Sequence, residues 1–173
     1  MLIAICSDSH DNLPNIDKFL TYCNDNKVKI VIHCGDWDNW EAMKRFREKF
    51  SGKIYGVLGN ADYSKVSPEK ILEKLQINIS PKIFEGSFEK IKFAIVHHPE
   101  EANELAATNK YNFVFYGHSH TPWMKKMEKT YLVNPGTLAG VFNKATFATY
   151  DTTTKRIELH LLESLGQTRN SKI

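Results

Sequence analysis

Seven side chains that can bind a metal ion follow short apolar runs of the sequence. The first two are Asp8 and His10, which come after the run Leu2–Cys6. In an extended chain, residues two positions apart project to the same side with Cα atoms roughly 6.6 Å apart, so both could reach one ion. The remaining side chains follow four later apolar runs in the same way. The set comprises Asp8, His10, Asp36, Asn60, His97, His118 and His120.

The donor types indicate divalent transition metals. Imidazoles, carboxylates and an amide oxygen suit such metals, whereas calcium prefers more oxygen ligands. A structural zinc site usually contains cysteine, and no cysteine belongs to this set. Seven ligands are too many for one tetrahedral ion but suffice for two ions that share a bridging carboxylate. The first motif taken alone could instead be turn chemistry, because Asp, Ser and Asn are common where a strand ends and a helix begins.

Two such ions would give the site a net positive charge. Two divalent ions, two carboxylates and a bridging hydroxide sum to about +1, a charge that attracts a phosphate ester and stabilises negative charge on its oxygens. The residues therefore predict a site for phosphate ester chemistry.

Alternating strands and helices in the first part of the chain are expected to bring Asp8, His10, Asp36 and Asn60 together. Strands are predicted over residues 2–6, 29–34 and 54–58, with helices between them. Asn12 and Pro14 predict the start of the first helix, and the second helix is expected to place Trp40 on its inner side. This order predicts a parallel sheet, in which ligands gather beyond the carboxyl ends of the strands.

The second half of the chain is predicted to be mostly strands. They are expected over residues 82–85, 91–96, 113–116, 123–126, 130–133, 145–150 and 156–162. Two more helices are predicted over residues 67–75 and 101–108, and Gly86-Ser87 is predicted to be a turn. We expect a single domain over residues 1–165 and a polar tail over residues 166–173.

Composition fits a soluble protein of a reducing compartment. The chain has 173 residues, of which 42% are hydrophobic and 25% charged. No apolar run approaches the roughly 20 residues that span a bilayer, and the start does not resemble a signal peptide. Three cysteines without paired spacing argue against disulfides, so a cytoplasmic location is expected. The net charge of +3 is too small to predict nucleic-acid binding.

The ordered motifs resemble those of the calcineurin-like metallophosphoesterase superfamily. They are Asp8-x-His10, Gly35-Asp36, Gly59-Asn60, His97 and Gly117-His118-x-His120. The chain is similar to small bacterial and archaeal phosphodiesterases of that superfamily, near the branch that includes the retromer small subunit. The segment Asn134-Pro135-Gly136-Thr137 is also similar to a turn typical of this branch.

The resemblance implies an α/β (α+β) fold, a four-layer α-β-β-α sandwich of two mixed sheets with metals between the sheet edges. It implies two divalent ions, with Mn²⁺ expected first and Ni²⁺, Fe²⁺, Zn²⁺ or Co²⁺ as alternatives. It further implies hydrolysis of a small phosphodiester by water or hydroxide held between the ions. The implied ligands of the first ion are Asp8, His10 and His120, those of the second are Asn60, His97 and His118, and Asp36 bridges.

Three nearby residues need separate interpretation. Many relatives carry histidine where this chain has Ala61, and that histidine protonates the leaving group or binds phosphate. His98 stands where relatives often have glycine, and it could contact substrate or cap the following turn. His33 matches no ligand position and is predicted to be structural. The candidate catalytic residues are Asp36, Asn60 and His98.

Two other functions are considered. One is a protein-binding scaffold similar to the retromer small subunit, and the other is a nuclease. The complete ligand set favours the enzyme, while the modest charge argues against a nuclease without excluding nucleic acid. We expect no membrane partner. The chain could form a homo-oligomer.

Overall fold

The computed structural model describes residues 1–62 and 75–166. Eleven strands and three α-helices lie within these residues. The helices are α1 (Leu13–Asp25), α2 (Trp40–Lys49) and α3 (Pro99–Ala107). The strands are β1 (Leu2–Cys6), β2 (Ile30–His33), β3 (Lys53–Val57), β4 (Asn78–Ser80), β5 (Phe84–Phe88), β6 (Ile91–Ile95), β7 (Phe113–Phe115), β8 (Trp123–Met127), β9 (Thr130–Asn134), β10 (Thr146–Asp151) and β11 (Arg156–Leu161).

The strands form two mixed sheets. The first sheet has the order β11-β10-β1-β2-β3-β4. Strands β1 to β4 run parallel to one another, whereas β10 pairs antiparallel with both β1 and β11. The second has the order β5-β6-β7-β9-β8, with β6, β7 and β9 parallel and antiparallel strands at both edges. Both sheets thus contain neighbouring parallel strands whose carboxyl ends lie at one edge.

Alternating side chains sort the interior into three hydrophobic layers. On β1, Ile3 packs between the sheets, whereas Ala4 faces α1 and α2. On β6, Phe93 packs between the sheets, whereas Ala94 faces α3. Because successive strand residues point to opposite faces, each sheet buries both faces. The predicted four-layer α-β-β-α arrangement is confirmed.

The first two helices dock their apolar sides on the first sheet. Helix α1 begins as predicted, since the Asn12 side chain accepts a hydrogen bond from the Asn15 backbone N–H. In α2, the expectation for Trp40 is wrong, because its side chain is 41% exposed. Trp37 fills the interior instead and packs against Phe46 with ring centroids 5.1 Å apart.

Two further features of the structure differ from the predictions. Gly86 lies inside β5, and the turn falls at residues 89–90. A Cβ at Gly86 would lie 2.7 Å from the Phe93 ring, so this glycine serves close cross-strand packing. Strand β4 was not predicted, because it contains only three residues and depends on pairing with β3.

Some expectations fall outside the described residues. The predicted helix over 67–75 lies almost entirely within residues 63–74, and the predicted tail lies almost entirely within residues 167–173. None of the helices in the described ranges has the length and hydrophobicity needed to cross a membrane. The three cysteines are free and buried.

Candidate metal centre

The carboxyl ends of parallel strands from both sheets meet at one edge of the sandwich. Asp8, Asp36 and Asn60 follow β1, β2 and β3, which are neighbours in the first sheet. His97 and His118 follow β6 and β7, which are neighbours in the second. The backbone N–H of His118 donates to both carboxylate oxygens of Asp8 at 3.2 Å. The candidate residues of the two sheets therefore come into direct contact.

Asp8, His10 and His120 form a first group of potential ligands. Their ligand atoms lie within 4.8 Å of one another. His120 Nε2 lies 3.3 Å from Asp8 Oδ1 and 3.3 Å from His10 Nε2. Two imidazole nitrogens and a carboxylate oxygen that converge in this way suit a divalent transition metal.

Asn60, His97 and His118 form a second group. Asn60 Oδ1 lies 3.0 Å from His97 Nε2 and 3.1 Å from His118 Nδ1. His97 is almost fully buried, whereas Asn60 and His118 are exposed. This group therefore reaches from the interior to the surface, where a substrate could approach.

The carboxylate of Asp36 lies between the two groups. Its Oδ2 is 3.4 Å from His97 Nε2 in the second group and 3.9 Å from His10 Nε2 in the first. Its Oδ1 accepts a hydrogen bond of 2.9 Å from the Ala61 backbone N–H. One oxygen is thus fixed by the backbone, and the other faces both groups.

Backbone carbonyls orient two of the imidazoles. His97 Nδ1 lies 2.8 Å from the carbonyl oxygen of Cys34, and His120 Nδ1 lies 3.1 Å from that of Val141. A carbonyl oxygen only accepts, so each Nδ1 carries the proton and donates it. Each Nε2 then faces the cluster, where a neutral imidazole would offer its lone pair to a metal ion, as metal-binding histidines typically do. The donor set and its orientation fit divalent metal ions.

Burial and neighbouring charged groups shift the pKa values of the side chains in the cluster. Burial raises the pKa of Asp36, but the hydrogen bond and charge of His97 outweigh this effect and hold that pKa at about 2. The hydrogen bond with Asp8 raises the pKa of His120. Burial, together with the nearby His97 and His98, lowers the pKa of His118. Asp36 is therefore ionised at neutral pH and able to bind cations.

Backbone strain is concentrated in these loops. Left-handed backbone conformations cost non-glycine residues about 1–2 kcal/mol each, although Asp and Asn tolerate them best. Such strain is often held at functional sites. Five of the seven candidate ligands have positive φ values: Asp8 (52°), His10 (40°), Asp36 (58°), His118 (67°) and His120 (56°).

Glycines permit the close approach of the loops. A Cβ at Gly59 would lie 2.1 Å from Asp36 Oδ1, and a Cβ at Gly117 would lie 1.9 Å from Ser7 Oγ. No side chain fits at those distances, so the pairs Gly59-Asn60 and Gly117-His118 need glycine at the first position.

Asp62 ties together the loops that follow β2 and β3. Its Oδ2 accepts backbone hydrogen bonds from Asp36 at 3.1 Å and Gly59 at 2.7 Å, and its Oδ1 accepts one from Asp38 at 2.8 Å. Burial raises the pKa of Asp62 to about 6 despite these bonds. This buried carboxylate therefore orients the candidate ligand Asp36 through its own backbone and Asn60 through that of the preceding Gly59.

His33 lies beside the cluster but outside the ligand groups of the described residues. Its Nδ1 accepts a hydrogen bond from the Gly35 N–H, so its Nε2 donates to Ser9 Oγ. Its ring stacks on Trp37 with centroids 3.6 Å apart. Burial lowers the pKa of His33, so the ring is neutral. These contacts agree with the predicted structural role.

His98 borders the second group. Its ring centroid lies 4.5 Å from that of His118 and 4.9 Å from that of His97. It precedes α3, but its side chain makes no capping hydrogen bond. His98 therefore occupies the N-cap position without capping the helix through its side chain, and the half-buried imidazole lies beside the candidate ligands.

Sequence reasoning gave no role to several residues that support the site. Asn134 donates to the carbonyl oxygen of Gly117 at 2.9 Å, and Thr137 Oγ1 donates to that of Asp8 at 3.0 Å. A signal was present, because these polar residues lie at and just after the end of β9. Phe142, whose ring centroid lies 5.6 Å from that of His120, had no such signal.

The fold agrees with comparisons to known proteins. Residues 1–155 match the calcineurin-like phosphoesterase superfamily domain, and the chain belongs to that superfamily. The predicted resemblance and the expectation of a phosphoesterase are thereby confirmed.

Similarity to individual proteins covers most of the chain. A phosphodiesterase of Methanocaldococcus jannaschii is 34% identical over 143 residues, which are 81% of this chain and 86% of that protein. A solved structure of an archaeal phosphodiesterase has a TM-score of 0.84 at 29% identity, with 93% of this chain and 99% of that chain covered.

A more distant structure shares the fold. Vps29 from Entamoeba histolytica, solved in complex with zinc, has a TM-score of 0.70 at 15% identity. The match covers 94% of this chain and 99% of that chain. At this identity the likeness shows the fold alone.

Proposed function

We propose that this chain is a metal-dependent phosphodiesterase that hydrolyses small phosphodiesters with two divalent cations bound. The observation that carries the proposal is the position of Asp36 Oδ2, 3.4 Å from His97 and 3.9 Å from His10. A single carboxylate oxygen that faces both ligand groups suits a bridge between two cations. The phosphodiesterase of Methanocaldococcus jannaschii, at 34% identity, supports the choice of diesters.

The proposed ligands divide between the two groups. Asp36 serves as the shared ligand, and its charge offsets part of the positive charge of the cations. Mn²⁺ is the first choice, and Ni²⁺, Fe²⁺, Zn²⁺ and Co²⁺ also suit nitrogen and oxygen donors. One cation is held by Asp8, His10 and His120, and the other by Asn60, His97 and His118.

Bound cations of this kind lower the pKa of water and stabilise negative charge on phosphoryl oxygens. The side chains around the cations determine where the phosphate would bind. Asn60 and His118 lie at the exposed side of the cluster, so the cation that they would help to hold would be accessible to a phosphate group from solvent. His98 lies next to His118 and is proposed to donate a hydrogen bond to a phosphoryl oxygen.

Ala61 limits the leaving groups that this site can handle. It has no side-chain proton donor, and its backbone N–H is already bonded to Asp36 Oδ1 at 2.9 Å. General acid catalysis typically contributes about 10²–10⁴-fold. We therefore propose that diesters with acidic leaving groups are cleaved well and alkyl monoesters poorly.

A protein-binding scaffold is the second candidate. It is favoured by exposed apolar side chains on the edge strands β8 and β11, among them Trp123, Met124 and Leu159. Exposed apolar patches often mark interaction sites. The convergent ligand groups favour catalysis, and the net charge of +3 gives a nuclease no support.

We further propose that residues 1–165 act as one cytoplasmic domain.

Turnover of bis(p-nitrophenyl) phosphate tests the proposed function. The protein is stripped with a chelator and reloaded separately with each of the five metals. We expect turnover that returns with metal, is highest with Mn²⁺, and exceeds turnover of p-nitrophenyl phosphate. Protein that holds two ions but cleaves the diester no faster than the free metal would contradict the proposal.

A further inference from the structure

Phe142 is an exposed aromatic residue beside the candidate metal centre. Its side chain is 91% exposed, the highest value among the large hydrophobic residues of the described ranges. Its ring centroid nevertheless lies 5.6 Å from that of His120, with the ring planes inclined by 38°. An apolar ring is thus presented to solvent next to a predicted ligand of the first cation.

The residues on both sides of this ring form hydrogen bonds with His120. The carbonyl oxygen of Val141 accepts a hydrogen bond from His120 Nδ1 at 3.1 Å. Asn143 Nδ2 donates to the carbonyl oxygen of His120 at 3.1 Å. Phe142 therefore lies between two residues that are both bonded to His120, and its position is coupled to that ligand.

The backbone of Phe142 is strained. Its φ is +64°, and it is the only hydrophobic residue with positive φ among the non-glycine residues of the described ranges. Asn or glycine would adopt this conformation at lower cost. A bulky residue in this region is unusual, and such outliers are often found at functional sites.

Packing of the fold gives no reason for the ring. Phe142 belongs to none of the three hydrophobic clusters of the described residues. A ring whose two neighbours are bonded to His120, which costs backbone strain and contributes nothing to the interior, is suited to binding a ligand. Its distance from His120 places the ring within reach of a ligand bound at the cations.

We propose that Phe142 determines specificity by packing against an aromatic or other planar ring on one ester arm of the substrate. The substrate class would then be phosphodiesters with a nucleobase or an aryl group, preferred over purely alkyl diesters. Phenylalanine has no hydrogen-bonding side-chain group. It would therefore contact the face of a planar ring without recognising the hydrogen-bonding groups at the edge of that ring. This inference rests on the proposed phosphodiesterase function.

Phenylphosphonate and methylphosphonate provide matched probes. Both carry the same phosphonate group, and they differ in the presence of a ring. Binding to the Mn²⁺-loaded protein is measured by titration calorimetry for wild type, Phe142→Asn and Phe142→Tyr. Asn tolerates positive φ, so the first variant removes the ring without adding backbone strain. Tyr restores a ring at the same position.

Wild type is expected to bind phenylphosphonate about 3- to 10-fold more tightly than methylphosphonate, the range that aromatic pairs typically give. Phe142→Asn should lose that preference, and Phe142→Tyr should keep it. A preference that persists in Phe142→Asn, or is absent from wild type, would overturn the inference. An equal loss for both probes would also overturn it, because Phe142 would then act only by positioning His120.

The turnover of two diesters separates this inference from the proposed function. Bis(p-nitrophenyl) phosphate and p-nitrophenyl methyl phosphate share the same leaving group. If wild type cleaves both but shows no ring preference in binding, the inference fails and the phosphodiesterase stands. In that case a protein partner for Phe142 becomes the better explanation. If wild type with two bound ions cleaves neither, the proposed function itself fails.

Discussion

Asp36 is the residue on which the two ligand groups depend. One of its oxygens is held by the Ala61 backbone, and the other faces His97 and His10. The sequence already identified it as the candidate bridge, through the family resemblance. The supporting contacts could not be predicted, because they depend on loops whose backbone conformations are not encoded by hydrophobic periodicity.

Replacing Asp36→Asn should damage activity far more than replacing His33→Asn. The first change removes the charge that both cations would share, and we expect kcat/KM to fall by more than about 100-fold with loss of bound metal. In the second variant, the Asn oxygen can still accept the hydrogen bond of the Gly35 N–H. We therefore expect kcat/KM to fall by less than about 10-fold. Diester turnover and metal content are measured together, and equal losses in two folded variants would contradict this view.

Ala61 should make turnover depend steeply on leaving-group acidity. Without a proton donor at this position, the logarithm of turnover should decline as the pKa of the leaving phenol rises. Ala61→His should flatten that line by improving the poorest leaving groups up to about 10-fold, a part of the usual general-acid contribution. The measurement is a series of aryl diesters with both proteins. A flat wild-type line, with chemistry rate-limiting, would show that another group supplies the proton.

The strands and helices were predictable where a run of apolar residues ended in a polar motif. Strand β1 matches its prediction over Leu2–Cys6, and β2, β3, β6 and β7 differ from theirs by one or two residues at the ends. The failures have local causes. Gly86 lies inside a strand because of packing on Phe93, and Trp40 is exposed because Trp37 occupies the interior.

Asp62 joins the loops that follow the strands β2 and β3. Asp62→Ala would leave three buried or partly buried backbone N–H groups without their acceptor. We expect the free energy of unfolding to fall by about 3 kcal/mol or more, at about 1–3 kcal/mol for each lost partner. We also expect the affinity for Mn²⁺ to fall by about 10- to 100-fold.

Glu48→Ala is a suitable control for this measurement. Glu48 forms an exposed ion pair with Lys44 within α2, at 3.6 Å. Its loss should cost only about 0.5 kcal/mol in urea unfolding of the metal-free protein. If Asp62→Ala costs no more than Glu48→Ala, and Mn²⁺ affinity is unchanged, the link between β2 and β3 does not support the site.

Across the whole molecule, the candidate site spans both sheets. His118 donates to Asp8, although 110 residues separate them in the chain. Parallel strand order predicted that the ends of β1, β2 and β3 share an edge. Nothing in the periodicity placed the ends of β6 and β7 opposite them, and only the family resemblance supplied that expectation. Phe142 was missed for a similar reason, since its position depends on a loop bonded to a distant histidine.

The central claim is that the two sheets share a pair of cations bridged by Asp36. Anomalous diffraction from crystals of the Mn²⁺-loaded protein tests it most directly. We predict two manganese peaks about 3.5–4 Å apart, the usual spacing of two-metal sites, with the Asp36 carboxylate in contact with both. A single fully occupied peak, or two peaks too far apart for Asp36 to reach both, would contradict the account.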